Sequence, residues 1–207
     1  MTFEGKSLPI NLDGLRFKGD RSYLHGTDIL ENVLVCIRKQ FDAPEVTDID
    51  ISFHGKATSG LTLLTNLPVG IEPVARLTCK IDGLNKKFFI AENGSAIVAR
   101  YEYTEDQAVA VTDIHVGSAS ATSSATLTYT DIERWIAMVK ALHLTLFPQA
   151  SGKWLFVRGK FDTYVGTLGR TKIEHRVILE VNFNGRLTRS GLYVGGRKLG
   201  LIFFALG

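Results

Sequence analysis

Cysteine and proline are scarce, with 2 and 5 residues among 207. Two cysteines cannot staple a chain of this size, so a disulfide scaffold is excluded. A charge excess of either sign is also lacking. Lys+Arg is 24 and Asp+Glu is 21, a formal net charge of +3. So mild a balance leaves no electrostatic footprint for nucleic acid, and no nucleic-acid partner is expected. No apolar run approaches the ~18–20 residues that would cross a bilayer, so no membrane span is expected. Met1 to Asp20 lacks the charged-then-apolar order of a secretory leader. The reading is a cytoplasmic protein with reduced thiols at Cys36 and Cys79. No Cys-x-x-Cys or His-x-x-x-His occurs, and no glycine-rich phosphate loop stands between a strand and a helix. Neither a metal nor a cofactor is therefore expected. With 45% apolar and 22% charged residues the chain has the composition of a folded domain, not a disordered one.

What is present is an internal echo near a period of 103 residues. Thr27-Asp28-Ile29 is matched by Thr130-Asp131-Ile132, Phe53-His54-Gly55-Lys56 by Val157-Arg158-Gly159-Lys160, and Ile81-Asp82-Gly83 by Phe183-Asn184-Gly185. The order is conserved and the offset nearly constant. The reading is two related units, 1–108 and 109–207.

Each half reads as a short extended stretch, one long helix and then strands. Leu8 to Phe17 is extended, with Asp13-Gly14 as a turn. From Thr27 to Phe41, Ile29, Leu30, Val33, Leu34, Ile37 and Phe41 recur at three- and four-residue steps, the pattern of an amphipathic helix with a wide apolar face. Asp28 and Glu31 have N-cap and N3 spacing, as do Thr130 and Glu133, which predicts a capping box in each half. Asp42-Ala43-Pro44 ends the helix. Strands are predicted at Asp48 to His54, Leu61 to Leu67, Val74 to Ile81, Lys86 to Ala91 and Ser95 to Tyr103. In the second half Val109 to Val116 is predicted extended and Asp131 to Phe147 helical. Strands follow at Lys153 to Tyr164, Glu174 to Phe183, Leu187 to Val194 and Leu199 to Leu206. Asp82-Gly83 and Asn184-Gly185 are hairpin signals. Gly117 to Thr128, rich in Ser, Ala and Thr, reads as a flexible connection outside the core. Gly191 to Gly200 reads as a hairpin with a basic exposed tip.

A four-turn apolar helix must bury its stripe, and a curved antiparallel sheet is the natural partner. One helix gripped by such a sheet, twice in one chain, resembles the double hotdog, an α+β fold of thioesterases and dehydratases. Tyr23-Leu24-His25-Gly26 directly before the first helix strengthens the resemblance, because a His-Gly pair at this junction is similar to that of hotdog thioesterases and hydratases. The resemblance implies processing of acyl thioesters of coenzyme A or acyl carrier protein, by a thioesterase or a dehydratase/hydratase, in fatty-acid or polyketide-type metabolism. The alternative is a non-catalytic acyl-binding or accessory subunit. It implies acyl-CoA or acyl carrier protein as partner, and is compatible with a homodimer of double hotdogs.

A helix start offers unpaired N–H groups and partial positive charge, which would stabilise an oxyanion on a thioester carbonyl. The candidate catalytic residues are His25, Gly26, Asp28 and Glu31. His25 would move the proton, Gly26 would let the backbone approach, and Asp28 or Glu31 would orient the imidazole or activate water. For Asp28 and Glu31 capping is the plainer reading. Arg21, Tyr23, Asn32, His54 and Lys56 are candidate substrate-binding residues. The chain departs from the family where thioesterases carry a carboxylate two turns into the helix. Val33 and Leu34 stand there, and Arg38 and Lys39 occupy the region of the dehydratase acid. Asp20, five residues before His25, matches the hydratase pair only loosely. His115, His143 and His175 read as surface or satisfied polar residues. Cys36 reads as core. The second half has no His-Gly pair, only Thr128-Tyr129 before Thr130.

Overall fold

The apolar stripe of the first half becomes α1, Gly26–Phe41. Ile29, Leu30, Val33, Leu34 and Ile37 are buried, while Val35, Arg38 and Lys39 face solvent. Arg38 and Lys39 sit in the last turn, where cations offset the carbonyl end of the helix dipole. Asp42 closes the helix in the left-handed region (φ 47°), its N–H donating to the Arg38 carbonyl. The computed structural model describes residues 9–43, 45–102, 105–124, 130–163 and 173–207. It separates into two units, Met1–Tyr103 and Thr104–Gly207.

In the N-terminal unit five antiparallel strands form a sheet in the order β1 (Ile10–Leu12), β4 (Leu61–Leu64), β6 (Leu84–Glu92), β5 (Ala75–Ile81) and β3 (Val46–Phe53). Their inward residues, among them Ile51, Leu61, Leu63, Leu77, Phe88 and Ile90, are buried. A register shift between Thr47 and Asp50, with Asp48 at φ 48°, puts Val46 and Ile49 on the same buried side although they are three residues apart. Asp82 (φ 49°) and Gly83 (φ 76°) make a two-residue turn between β5 and β6, with Leu84 already paired to Ile81. The strand expected at Ser95 to Tyr103 shrinks to β7, Arg100–Tyr101, which pairs in parallel with β2, Phe17–Lys18. Residues 95–99 bury no apolar face, with Val98 fully in solvent, so nothing holds them in a ladder. Leu8, Pro44 and Tyr103, assigned above to elements or their ends, lie outside the described residues.

In the C-terminal unit α3, Asp131–Leu146, is buried on more of its circumference than α1. Trp135 through Val139 are all buried, together with Asp131, Arg134 and His143. The sheet runs β8 (Asp113–His115), β9 (Ser120–Ser123), β11 (His175–Phe183), β12 (Leu187–Val194), β13 (Arg197–Leu206) and β10 (Trp154–Thr163). Two expectations are corrected. Residues 109–116 are not one strand, because α2 (Glu105–Ala110) buries Ala108 against α3 and is tied to it by Lys140–Glu105 at 2.9 Å before β8 begins. The Ser/Ala/Thr stretch is not a loose connection, because β9 lies between β8 and β11 with Ser120, Ala121 and Ser123 buried. Small side chains there suit close packing beneath a helix. Residues 125–128 of that stretch, Thr128-Tyr129 and Tyr164 lie outside the described residues. Asn184 (φ 51°) and Gly185 (φ 66°) turn β11 into β12, and Gly195 and Gly196 form the tip before the exposed Arg197 and Lys198.

Each unit is a hotdog, a curved antiparallel sheet around one long helix, and the chain is a tandem hotdog. The connections nevertheless differ. Counting β1 or β9 as the first strand, the spatial order is first–third–fifth–fourth–second in the N-terminal unit and first–third–fourth–fifth–second in the C-terminal unit. Every neighbouring pair is antiparallel, so strand directions at the five positions agree although the chain visits them differently. The turns at Asp82-Gly83 and Asn184-Gly185 are therefore not counterparts. The first joins the fourth strand to the fifth, the second the third to the fourth. Among the described residues no helix is long and apolar enough to cross a membrane.

Candidate functional site

His25 is the N-cap of α1, with extended backbone (φ −77°, ψ 140°) and no side-chain capping bond. The box expected from Asp28 and Glu31 does not form, since the helix starts two residues before Asp28 and places it at N3. At the other helix the box is present. Thr130 accepts from the Glu133 N–H and Glu133 reaches back to the Thr130 N–H, both at 3.4 Å. One helix start is thus closed by its own residues. The other is topped by an imidazole that does something else.

That imidazole is buried, at 8% exposure. Its Nδ1 lies 2.7 Å from Thr27 Oγ1. Thr27 Oγ1 donates to Asp28 Oδ1 at 3.1 Å and accepts from Lys18 Nζ at 3.3 Å. Lys18, with an exposure of 0%, also pairs with Asp28 Oδ1 at 3.3 Å, and the Tyr101 hydroxyl donates to Asp28 Oδ2 at 2.8 Å. Lys18 and Tyr101 come from the parallel β2–β7 pair, whose two bonded residues each bring one group over the helix start. A buried ammonium is tolerated because Asp28 neutralises it within contact distance.

Other candidate residues surround this cluster. Gly26 is the first helical residue, and the Asn32 side-chain amide donates to the Asp28 carbonyl at 2.9 Å within the helix. Glu31 is half-buried one turn along. Arg21 Nη1 donates to the Lys18 carbonyl at 3.4 Å. Tyr23 carries the Lys56 ammonium 5.2 Å from its ring centre, while His54 is exposed and meets Ser52 at 3.3 Å. The 54–60 loop is fixed at both sides. The Leu24 N–H donates to the Ala57 carbonyl at 2.8 Å, and Glu92 Oε1 accepts from the Thr58 and Ser59 N–H groups at 2.6 and 2.8 Å and from both hydroxyls. Partial burial works against the charged Glu92, but these bonds outweigh it and hold the carboxyl below its usual range. Arg16 sits over the Tyr101 ring and Arg100 over the Phe17 ring, at 4.9 and 5.2 Å. Arg100 also donates to the carbonyls of Gly19 and Arg21. Arg16, Arg21, Lys56 and Arg100 thus form a basic rim near the start of α1. Lys18, Thr27 and Tyr101 were not singled out by sequence. Thr27 carried a signal, a hydroxyl two residues after the histidine; the other two carried none.

The corresponding helix start of the C-terminal unit holds a different polar group. Asp131 Oδ1 lies 2.9 Å from His175 Nε2, and Arg134 Nη1 lies 2.9 Å from His175 Nδ1, all three side chains fully buried. Burial lowers the Arg134 pKa, and Asp131 opposes that shift. His143, further along α3, is buried against Trp154, Phe147 and Phe204, with Thr188 Oγ1 3.1 Å from Nε2. Burial pushes its pKa down to about 4. It is neutral when folded and takes a proton near pH 6.5 when unfolded, so the unfolded state binds more protons between these values. Stability from this group is complete above pH 6.5 and is lost as pH falls toward 4. The shift corresponds to roughly 3 kcal/mol. Urea unfolding across that window should show the decline, and His143→Phe should abolish this part of it. A pH profile unchanged in His143→Phe would refute the assignment. Cys36 is half-buried, not fully core, and Cys79 is buried; burial raises both thiols, Cys79 to about 11, so neither is an activated nucleophile. Among the described residues no group of three or more His, Cys, Asp or Glu is placed to hold a metal ion.

No protein-family model matches this sequence, and no curated protein matches it either. Solved structures do. A tesB protein of Mycobacterium avium subsp. paratuberculosis superposes with a TM-score of 0.51 at 9% identity, over 94% of this chain and 91% of that one. The acyl-CoA thioesterase II TesB2 of Mycobacterium marinum gives a TM-score of 0.44 at 13% identity, over 88% of each chain. The dehydratase domain of a mycocerosic acid synthase-like polyketide synthase gives 0.47 at 11%, over 89% and 83%. The first of these carries the correspondence, and it is one of fold.

Proposed function

We propose that this chain processes acyl thioesters at the start of α1, with His25 as the group that moves the proton. The observation that carries the proposal is the contrast between the two helix starts. Thr130 and Glu133 close one with their own side chains, while the other carries a buried histidine that spends none of its ring on capping. The first-turn N–H groups of α1 then supply the positive potential that a thioester oxyanion requires. His25 takes a proton from water adding to the carbonyl, or from the carbon beside it, and returns it to the departing sulfur or hydroxyl. Asp28 is held by Lys18, Thr27 and Tyr101, so its role is to support His25, not to activate water. The rim of Arg16, Arg21, Lys56 and Arg100 supports a carrier bearing phosphate, such as coenzyme A or phosphopantetheine.

The test is a panel of acyl-CoA thioesters of several chain lengths and saturation states. Thiol release reports hydrolysis, and enoyl absorbance reports hydration or dehydration. Lys56→Ala and Arg21→Ala should each raise KM for acyl-CoA by roughly two- to fivefold at low salt, converging with wild type as salt screens the rim. Short N-acetylcysteamine thioesters, which lack phosphate, should not respond. Saturable binding of acyl-CoA without turnover would favour the accessory acyl-binding reading. Neither binding nor turnover across the panel would reject the proposal.

A further inference from the structure

We infer that Thr27 is a positioning residue that holds His25 in the tautomer protonated on Nδ1. Its use in a reaction rests on the reading of His25 as the proton-moving group; the tautomer itself does not. Thr27 Oγ1 has one hydrogen and two lone pairs, and it meets three groups: Lys18 Nζ at 3.3 Å, Asp28 Oδ1 at 3.1 Å and His25 Nδ1 at 2.7 Å. An ammonium can only donate and a carboxylate can only accept. Lys18 therefore takes one lone pair, and Asp28 takes the hydroxyl hydrogen. One lone pair is left for the imidazole, so Nδ1 must carry a hydrogen. The reverse arrangement, Thr27 donating to Nδ1, would set two oxygen lone pairs against each other across 3.1 Å toward Asp28.

Burial makes the choice firm, since Thr27 and Lys18 are fully buried and cannot trade a missed bond for water. Lys18 and Asp28 act as two poles that orient the hydroxyl, and Tyr101 fixes the far oxygen of Asp28 at 2.8 Å. The neutral imidazole then carries its lone pair on Nε2, the nitrogen turned away from Thr27. A base working at the helix start needs that tautomer.

The experiment is long-range proton–nitrogen correlation NMR on the full chain labelled with nitrogen-15 histidine. His25 signals are assigned by their loss in His25→Asn. At neutral pH the wild type should show a protonated, pyrrole-type Nδ1 and a pyridine-type Nε2. Thr27→Ser should keep this pattern, and Thr27→Val should lose it. Where the panel above shows turnover, Thr27→Val should lower kcat roughly ten- to hundredfold with KM little changed, and Thr27→Ser should restore most of it. A wild-type His25 protonated on Nε2, or a Thr27→Val spectrum like wild type, would overturn the inference. If Thr27→Val does not fold, the wild-type and Thr27→Ser spectra decide. The predicted tautomer together with an inactive panel would sink the thioester reading and leave the assignment of Thr27 standing.

Discussion

His25→Ala is expected to lower kcat/KM for thioester turnover by about 10²–10⁴-fold while reducing unfolding free energy by about 1–3 kcal/mol. The two effects separate because the side chain makes no capping bond to α1, so the helix does not depend on the imidazole. The N-cap backbone is already extended, the conformation in which Asn caps well. His25→Asn should therefore be about 1 kcal/mol more stable than His25→Ala, the gained cap offsetting the lost Thr27 bond, and should be just as inactive. Parallel kinetics and denaturant melts on the two variants check this. Activity that tracks stability across the pair would show that His25 is a structural residue. So would wild-type turnover in either variant.

The position of His25 was legible because it is local. A histidine and a glycine directly before the only long apolar stripe of the half must lie at that helix start. What surrounds it was not legible. Lys18 and Tyr101 are 83 positions apart, and a parallel pair of two-residue strands brings them together. So short a ladder has no periodicity to read. The capping spacing of Asp28 and Glu31 points to the wrong cap residue. In the fold, Lys18 and Tyr101 take up the Asp28 carboxylate, and the cap position falls to His25. β9 escapes the sequence because Ser, Ala and Thr signal a linker when composition is all that is seen. The different strand connections of the two units left no trace, because the third, fourth and fifth strands look alike in alternation and turn chemistry. The apolar stripes did predict two long helices, each within a residue of the observed span.

The largest stability effect is expected at Asp131, in the unit assigned no chemistry. The carboxylate lies 2.9 Å from His175 Nε2 and beside the buried Arg134 guanidinium, and none of the three is exposed. Asp131→Ala removes the negative member, and with it the oxygen beside His175 Nε2, from a fully buried cluster. Breaking a buried group of this kind by deleting one partner costs about 3–5 kcal/mol. For a chain of this length that is a fall in Tm of roughly 10 °C. Asp131→Asn keeps an acceptor for His175 but not the charge, so it should fall between Ala and wild type. A pair on the surface sets the contrast. Lys80 and Asp48 approach to 2.6 Å but are 41% and 58% exposed. Solvent screens that attraction, and Lys80→Ala should cost less than about 1 kcal/mol despite the shorter distance. Burial, not separation, therefore sets the order of the two losses. Calorimetry or denaturant melts of Asp131→Ala, Asp131→Asn and Lys80→Ala would show it, and an Asp131→Ala as stable as Lys80→Ala would mean that the triad is not sealed from water.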